Sequence, residues 1–220
     1  MRGKTPDSRP PIVQALAAVA AGLGETSAPW MIIGGLAVIA RGVKRMTTDI
    51  DIAVRGDALT VANLLRTLGR HAVEPRIADA ERFAGDNLVL LLRHAPTDVE
   101  IDLSLAWTAF EHEALTLCTP VSYGGVIVPV ATAEALVVFK AIAARGKDLD
   151  DGVALLAMHP EIDLARVRHR VAQLAAAADA PELVTAFDSM LAPPRTPPTP
   201  PRRRPASSRP KATRRRPSGR

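Results

Sequence analysis

Asp49-Ile50-Asp51-Ile52-Ala53-Val54 alternates in the two-residue period of a β-strand. Ile50, Ile52 and Val54 then face a core, and Asp49 and Asp51 share the opposite face. Carboxylates so placed lie about 6 to 7 Å apart at the backbone and repel each other, a repulsion that a divalent cation between their side chains relieves. Upstream, the apolar run Trp30-Met31-Ile32-Ile33 closes on Gly34-Gly35, and a gap the size of a short helix separates these glycines from the acids. A strand, a glycine turn, a short helix and an acid-bearing strand read together as a site for a nucleotide and a metal ion.

Two further constellations support that reading. In Asp98-Val99-Glu100-Ile101-Asp102-Leu103 the acids again fall on one face and the aliphatics on the other. Three acids in a row suit a solvated sheet edge. Beside the Asp49/Asp51 strand they also offer the third carboxylate that two-metal phosphoryl transfer needs, both to hold a cation and to take a proton from an attacking hydroxyl. Asp102, flanked by Ile101 and Leu103, is the choice, with Glu100 as the alternative. The last constellation is Phe139-Lys140-Ala141-Ile142-Ala143-Ala144-Arg145-Gly146-Lys147-Asp148-Leu149-Asp150-Asp151. Lys140 stands on an otherwise apolar helix, where an ammonium has to be paired, snorkel or point into a cleft. Asp148 and Asp151 share a face of the next helix, and Gly146 supplies the turn that brings that face back. The group either positions a triphosphate or locks two helices together.

Around these sites the pattern predicts alternating elements. Helices are expected over residues 12–23, 36–41 and 58–68, the last with Asp57 as N-cap, and strands over 30–33 and 49–54. Strands over 88–92 and 99–105 form a hairpin across Ala95-Pro96-Thr97, and 121–130 reads as a further extended segment. Helices follow over 133–144, 149–158, 164–176 and 181–190. The fold class is α+β: a small mixed sheet with flanking helices, then a helical bundle. Residues 1–130 form the expected core with its N-terminal helix, 131–190 the helical region and 191–220 a disordered Pro/Arg-rich tail.

Charge is divided along the chain. The net charge is +5, but the last thirty residues hold nine Arg and one Lys with no acid, which leaves 18 basic against 23 acidic residues in 1–190. The tail lacks apolar periodicity and cannot build a core. Its Arg-Pro segments suit salt-dependent contact with RNA or DNA phosphates, or simple solubilisation. Arg166, Arg168 and Arg170 on the 164–176 helix read as a solvated face or a second phosphate contact. The single cysteine, Cys118, excludes an intramolecular disulfide and fits a reducing compartment. Arg2, Lys4 and Arg9 before an apolar stretch resemble a secretory leader, yet Pro10-Pro11 and Gln14 suit a capped helix. No stretch is long and apolar enough to span a bilayer, and a cytoplasmic location is expected.

Ile33-Gly34-Gly35, Arg45-Met46-Thr47-Thr48-Asp49-Ile50-Asp51, Ile101-Asp102-Leu103, and Lys140 with Lys147-Asp148-Leu149-Asp150-Asp151 resemble the four motifs of the AbiEii-type abortive-infection nucleotidyltransferases, within the DNA polymerase β-like superfamily. The resemblance covers residues 30–157, about six-tenths of the chain. It implies a nucleotidyltransferase core and an NTP-dependent, pyrophosphate-releasing transfer, as in toxins of toxin–antitoxin pairs that add nucleotides to tRNA acceptor ends; relatives elsewhere in the superfamily modify small molecules or proteins. A third possibility is a non-catalytic relative that binds nucleic acid. The resemblance further implies that Gly34 and Gly35 open the helix whose amides hold the triphosphate, and that Asp49, Asp51 and Asp102 hold magnesium, as two ions. Thr47 or Thr48 touches the γ-phosphate, Arg45 or Lys44 neutralises the triphosphate, and Lys140 and Asp148 support the nucleotide with Asp151 behind them. Many superfamily members carry Ser where this chain has Gly35. The implied partners are an NTP such as ATP, tRNA or other nucleic acid, and a cognate antitoxin, with no membrane.

Overall fold

Pro11 begins the first helix, where its missing N–H costs nothing and its fixed φ suits the first turn. This helix, α1 (Pro11–Gly24), buries Val13, Leu16, Val19 and Leu23. The structure, a computed structural model, describes residues 7–192; the expected tail lies outside them, apart from its first two residues. After α1 come β1 (Trp30–Ile33), α2 (Gly34–Ala40), β2 (Ile50–Arg55), a 3-10 turn at Gly56–Ala58, α3 (Val61–Gly69), β3 (Val73–Pro75), α4 (Ala80–Asn87), β4 (Val89–His94), β5 (Val99–Ala106), α5 (Ala109–Leu117), β6 (Thr119–Tyr123) and β7 (Val126–Val130). Four helices follow: α6 (Ala133–Ala143), α7 (Gly146–Met158), α8 (Leu164–Ala177) and α9 (Glu182–Met190).

The seven strands make one mixed sheet in the order β3-β4-β5-β2-β1-β7-β6. β2 runs parallel to β5 and β1 parallel to β7, and the remaining neighbours are antiparallel. Alternation holds as the sequence predicts. Ile50, Ile52, Val54, Ile101 and Leu103 are all buried, and their partners Ile32, Leu90 and Leu92 extend the same apolar face. Each such side chain contributes about 1.5 to 3 kcal/mol by leaving water. The α+β class, mixed sheet and flanking helices are therefore as read from the sequence.

Two local expectations are corrected, one is refined, and one helix was not expected. Strand β2 begins at Ile50, so Asp49 lies just before it. Helix α3 begins at Val61, and its N-cap is Thr60, whose hydroxyl accepts from the Asn63 amide; Asp57 belongs to the preceding 3-10 turn and pairs with Arg55. The 121–130 region is the β6–β7 hairpin, because Gly124 and Gly125 both take positive φ and close a two-residue turn. The stretch between β5 and β6 also carries α5, started by a capping box in which Thr108 and Glu111 satisfy each other's backbone amides.

The C-terminal helices pack on the sheet core through α6, which touches α2, α7, α8 and α9. Phe110 of α5 and Phe139 of α6 meet with ring centroids 5.0 Å apart at 58°, a tilted geometry that aromatic quadrupoles favour. The arginines of α8 lie on the solvated face read from the sequence, with Arg166 and Arg168 exposed and Arg170 half-buried, and each is paired with a carboxylate. Arg166 pairs with Glu134, Arg168 with Asp188 at 2.9 Å, and Arg170 with Glu113. They fasten α8 to its neighbours.

Candidate active site

Sheet register decides which acids meet. Across β1, β2, β5 and β4 the residues Ile33, Asp51, Asp102 and Leu91 stand opposite one another in one row. The parallel β2–β5 pair thus places Asp51 and Asp102 on adjacent strands, about 4.8 Å apart at the backbone. Asp49 lines the same cleft from the residue before β2. Glu100 lies two residues earlier on β5, is exposed, and does not line the cleft.

The turn from β1 into α2 is built around Asp51. Gly34 has φ +60°, and a Cβ there would stand 1.9 Å from Asp51 Oδ2. The Gly35 amide points to the same oxygen at 3.4 Å. At Gly35 a Cβ would come within 2.6 Å of Thr47 Oγ1, so the room a serine would need is taken by the Thr47 hydroxyl. Gly34→Ala is expected to lower stability by about 1 to 2 kcal/mol from the backbone conformation alone, with more from displacing Asp51. Urea denaturation measures it, and a loss under 0.5 kcal/mol would contradict this geometry.

Between α2 and β2 the chain delivers two more groups. Thr47 donates its hydroxyl to Asp49 Oδ1 at 2.6 Å, whereas Thr48 is exposed and outside the cleft lining. Of the two threonines expected near the phosphates, Thr47 is the one hydrogen-bonded to an acid of the cleft, although neither threonine lines the cleft itself. Arg45 lines the cleft and pairs with Asp151; Lys44 is exposed and lies outside that lining.

Opposite the acids, α6 and α7 form the other wall. Lys140 is buried, with Nζ 2.7 Å from Asp148 Oδ1 and 2.9 Å from Asp151 Oδ2. Asp148 Oδ2 also accepts from Arg145 Nε at 2.5 Å. The result is a chain of alternating charge, Arg45–Asp151–Lys140–Asp148–Arg145, with one more cation than anions. Lys140 therefore does lock the two helices, and its chain still borders the cleft.

Together Ile33, Gly34, Gly35, Asp49, Asp51 and Asp102 face Arg45, Lys140, Arg145, Lys147 and Asp148 across a cleft of about 240 Å³. Burial pushes the Asp51 carboxyl up, the charges of Asp49 and Asp102 push it further, and the Gly35 amide opposes them. Burial also raises Asp102, against the pull of Arg76. Burial acts on Asp49 in the same sense but is outweighed by the Thr47 hydroxyl and the nearby Lys147 and Arg45, which hold its carboxyl below the ordinary value. Among the described residues no set of three His, Cys, Asp or Glu side chains is gathered tightly enough to cage a metal as it stands. The donor chemistry nevertheless fits a hard divalent cation: three carboxylates line one cleft, two in register, and their mutual repulsion is what such an ion offsets.

Sequence reasoning gave no role to Arg145, Lys147 or Arg76. A signal for the first two was present. They flank Gly146 at the N-terminus of α7, where the helix dipole disfavours cations unless an anion shares the space. Arg76 carried no such sign, since its place follows from strand pairing alone.

No family model matches the chain, and no curated protein matches it. Among solved structures, the solution structure of the antibiotic-resistance factor ANT(2'')-Ia is 19% identical, covering 80% of this chain and 90% of that one at a TM-score of 0.49. The crystal structure of ANT(2'')-Ia in complex with adenylyl-2''-tobramycin gives 19%, 80%, 97% and 0.48 in the same order. An antigenic nucleotidyltransferase-like protein from Paracoccidioides brasiliensis gives 18%, 80%, 92% and 0.47. Likeness at this level carries no weight for the chemistry, which rests on the residues described above.

Proposed function

We propose that the protein is a nucleotidyltransferase that moves a nucleotide from an NTP to an acceptor hydroxyl. The observation that carries this reading is the register pairing of Asp51 with Asp102, beside Asp49, over a glycine turn and opposite four cationic side chains. Each part has a task in that reaction. Arg45, Arg145 and Lys147 offset the charge of the triphosphate, and Lys140 supports them from behind. The unsubstituted turn at Gly34-Gly35 lets Asp51 and Thr47 pack against the backbone beside the cleft. Asp49, Asp51 and Asp102 would hold magnesium, which supplies charge neutralisation at the α-phosphate and makes the acceptor hydroxyl easier to ionise.

The bond that forms joins the acceptor oxygen to the α-phosphorus, and the bond that breaks releases pyrophosphate. Asp102 stands at the side of the acid cluster away from the glycine turn, so it is the group to receive the hydroxyl proton. Holding both oxygens in line accounts for much of the rate gain in such a site.

For the acceptor we propose tRNA, with the protein acting as the toxin of an AbiEii-like toxin–antitoxin pair. Support comes from the four-motif resemblance and from the ten basic residues of the acid-free C-terminal segment. A small-molecule or protein acceptor is the second reading, favoured by the pairing of Arg166, Arg168 and Arg170 with carboxylates, which offsets the positive charge of that face. Purified protein incubated with each α-labelled NTP, Mg²⁺ and total cellular RNA or protein extract tests both. Label in tRNA is the expected result, and EDTA should remove it. Label in protein, or in the small-molecule fraction of the same extract supplied as a third acceptor pool, selects the second reading, and no transfer from any NTP to any of the three fractions refutes the enzyme.

A further inference from the structure

The row that brings Asp51 and Asp102 together continues by one more residue. The Arg76 amide donates to the Leu91 carbonyl at 2.9 Å, extending the β3–β4 pairing past Pro75. Arg76 thus stands beyond Leu91, two strand spacings or roughly 10 Å of backbone from Asp102, and its side chain crosses that distance. One terminal nitrogen pairs with Asp102, and the other lies 2.5 Å from Glu100 Oε2. The Arg76 side chain is more than three-quarters buried, and its Nε is buried with no acceptor among the described residues.

An arginine that only fastened the β3 edge would be expected to satisfy all its donors, because an unpaired buried N–H costs roughly 1 to 3 kcal/mol. Here that donor goes unmet while both ends of the fork rest on carboxylates. The fork also explains why three acids in one cleft do not converge: Asp102 is held by a cation on the flank away from Asp49 and Asp51. Glu100 gives the guanidinium a second berth, exposed and outside the cleft.

We propose that Arg76 is a positioning residue that competes with a divalent cation for Asp102, and that the guanidinium passes wholly to Glu100 when Asp102 turns toward the metal. The proposal rests on the nucleotidyltransferase reading. It makes Glu100 the keeper of Arg76 and leaves Asp102 as the third ligand. It also makes the weaker of the two metal sites subject to an internal competitor.

The test uses the full chain and Mn²⁺ alone as probe, with free Mn²⁺ read by its electron paramagnetic resonance signal and folding checked by circular dichroism. Arg76→Gln should tighten the weaker Mn²⁺ site about tenfold, the order expected when one contacting charge is removed from a partly exposed carboxylate. In an Asp102→Asn background the same change should do nothing. Glu100→Gln should act in the opposite sense, weakening Mn²⁺ binding about threefold by leaving Arg76 to Asp102 alone. A folded Arg76→Gln whose Mn²⁺ binding is unchanged or weaker overturns the competition while leaving the metal reading intact. Wild-type protein that binds no Mn²⁺ removes both. Should Arg76→Gln not fold, Glu100→Gln decides: unchanged or tighter binding rejects the proposal.

Discussion

Asp51→Asn is expected to abolish nucleotide transfer and to melt no lower than the parent protein. Loss of transfer should be about a thousandfold or more, equivalent to roughly 4 kcal/mol of transition-state stabilisation, because the substitution removes one of the three carboxylates proposed to hold the cation. The stability half follows from the direction of the carboxyl's shift. Burial and the neighbouring Asp49 raise it in the folded protein, so its contribution to stability is fully present below the unfolded value and is lost as pH rises through the folded one. At neutral pH the ionised side chain is therefore a burden on the fold, and a neutral isostere relieves it. Thermal melts of the two proteins at pH 7 and pH 4.5 measure this: the advantage of the variant should shrink on acidification. The same linkage makes cation binding weaken as pH falls through the raised Asp51 value, since the ligand must be deprotonated. A variant that keeps transfer, or that melts well below wild type, would contradict both the role and the electrostatics assigned to Asp51.

What the sequence revealed and what it hid follow from the range of the interactions involved. Alternation over 49–54 and 99–105 is a local property, so the apolar face and the acid-bearing face were readable without knowing any strand partner. The glycine turn was equally local, although the reason for Gly34 is not: its hydrogen faces Asp51, seventeen residues ahead. Register between β2 and β5 joins residues about fifty apart, and only that register distinguishes Asp102 from Glu100 by location. Arg76 is the extreme case. Its amide pairs with Leu91 and its fork reaches Asp102, so nothing near it in sequence marks it. Thr47 and Thr48 differ only in which side of a turn they take, which a pattern of two adjacent threonines cannot tell. Helix α5 was legible and missed, since Thr108 and Glu111 have the spacing of a capping box.

Lys140→Met is expected to cost about 3 kcal/mol of folding stability. Lys140 is the middle member of the charge chain between α6 and α7, and the two buried carboxylates it bridges would each be left with one arginine. Arg145 is two-thirds exposed and cannot replace a buried ammonium, so Asp148 bears most of the loss. The hydrogen bonds from Arg145 and Lys140 outweigh burial and hold the Asp148 carboxyl below its ordinary value. Its stabilising share is therefore present above the unfolded value and lost as pH falls through the folded one, and removing Lys140 should shift that loss to higher pH. Pairing Lys140→Met with Asp148→Leu should recover much of the stability, as replacing buried ion pairs by apolar groups often does, while nucleotide affinity stays low. Guanidinium denaturation and a nucleotide-binding isotherm on both variants separate the two tasks of this lysine. Unchanged stability with lost nucleotide binding would make Lys140 a phosphate ligand alone, and the helix lock would then belong to Arg45 and Arg145.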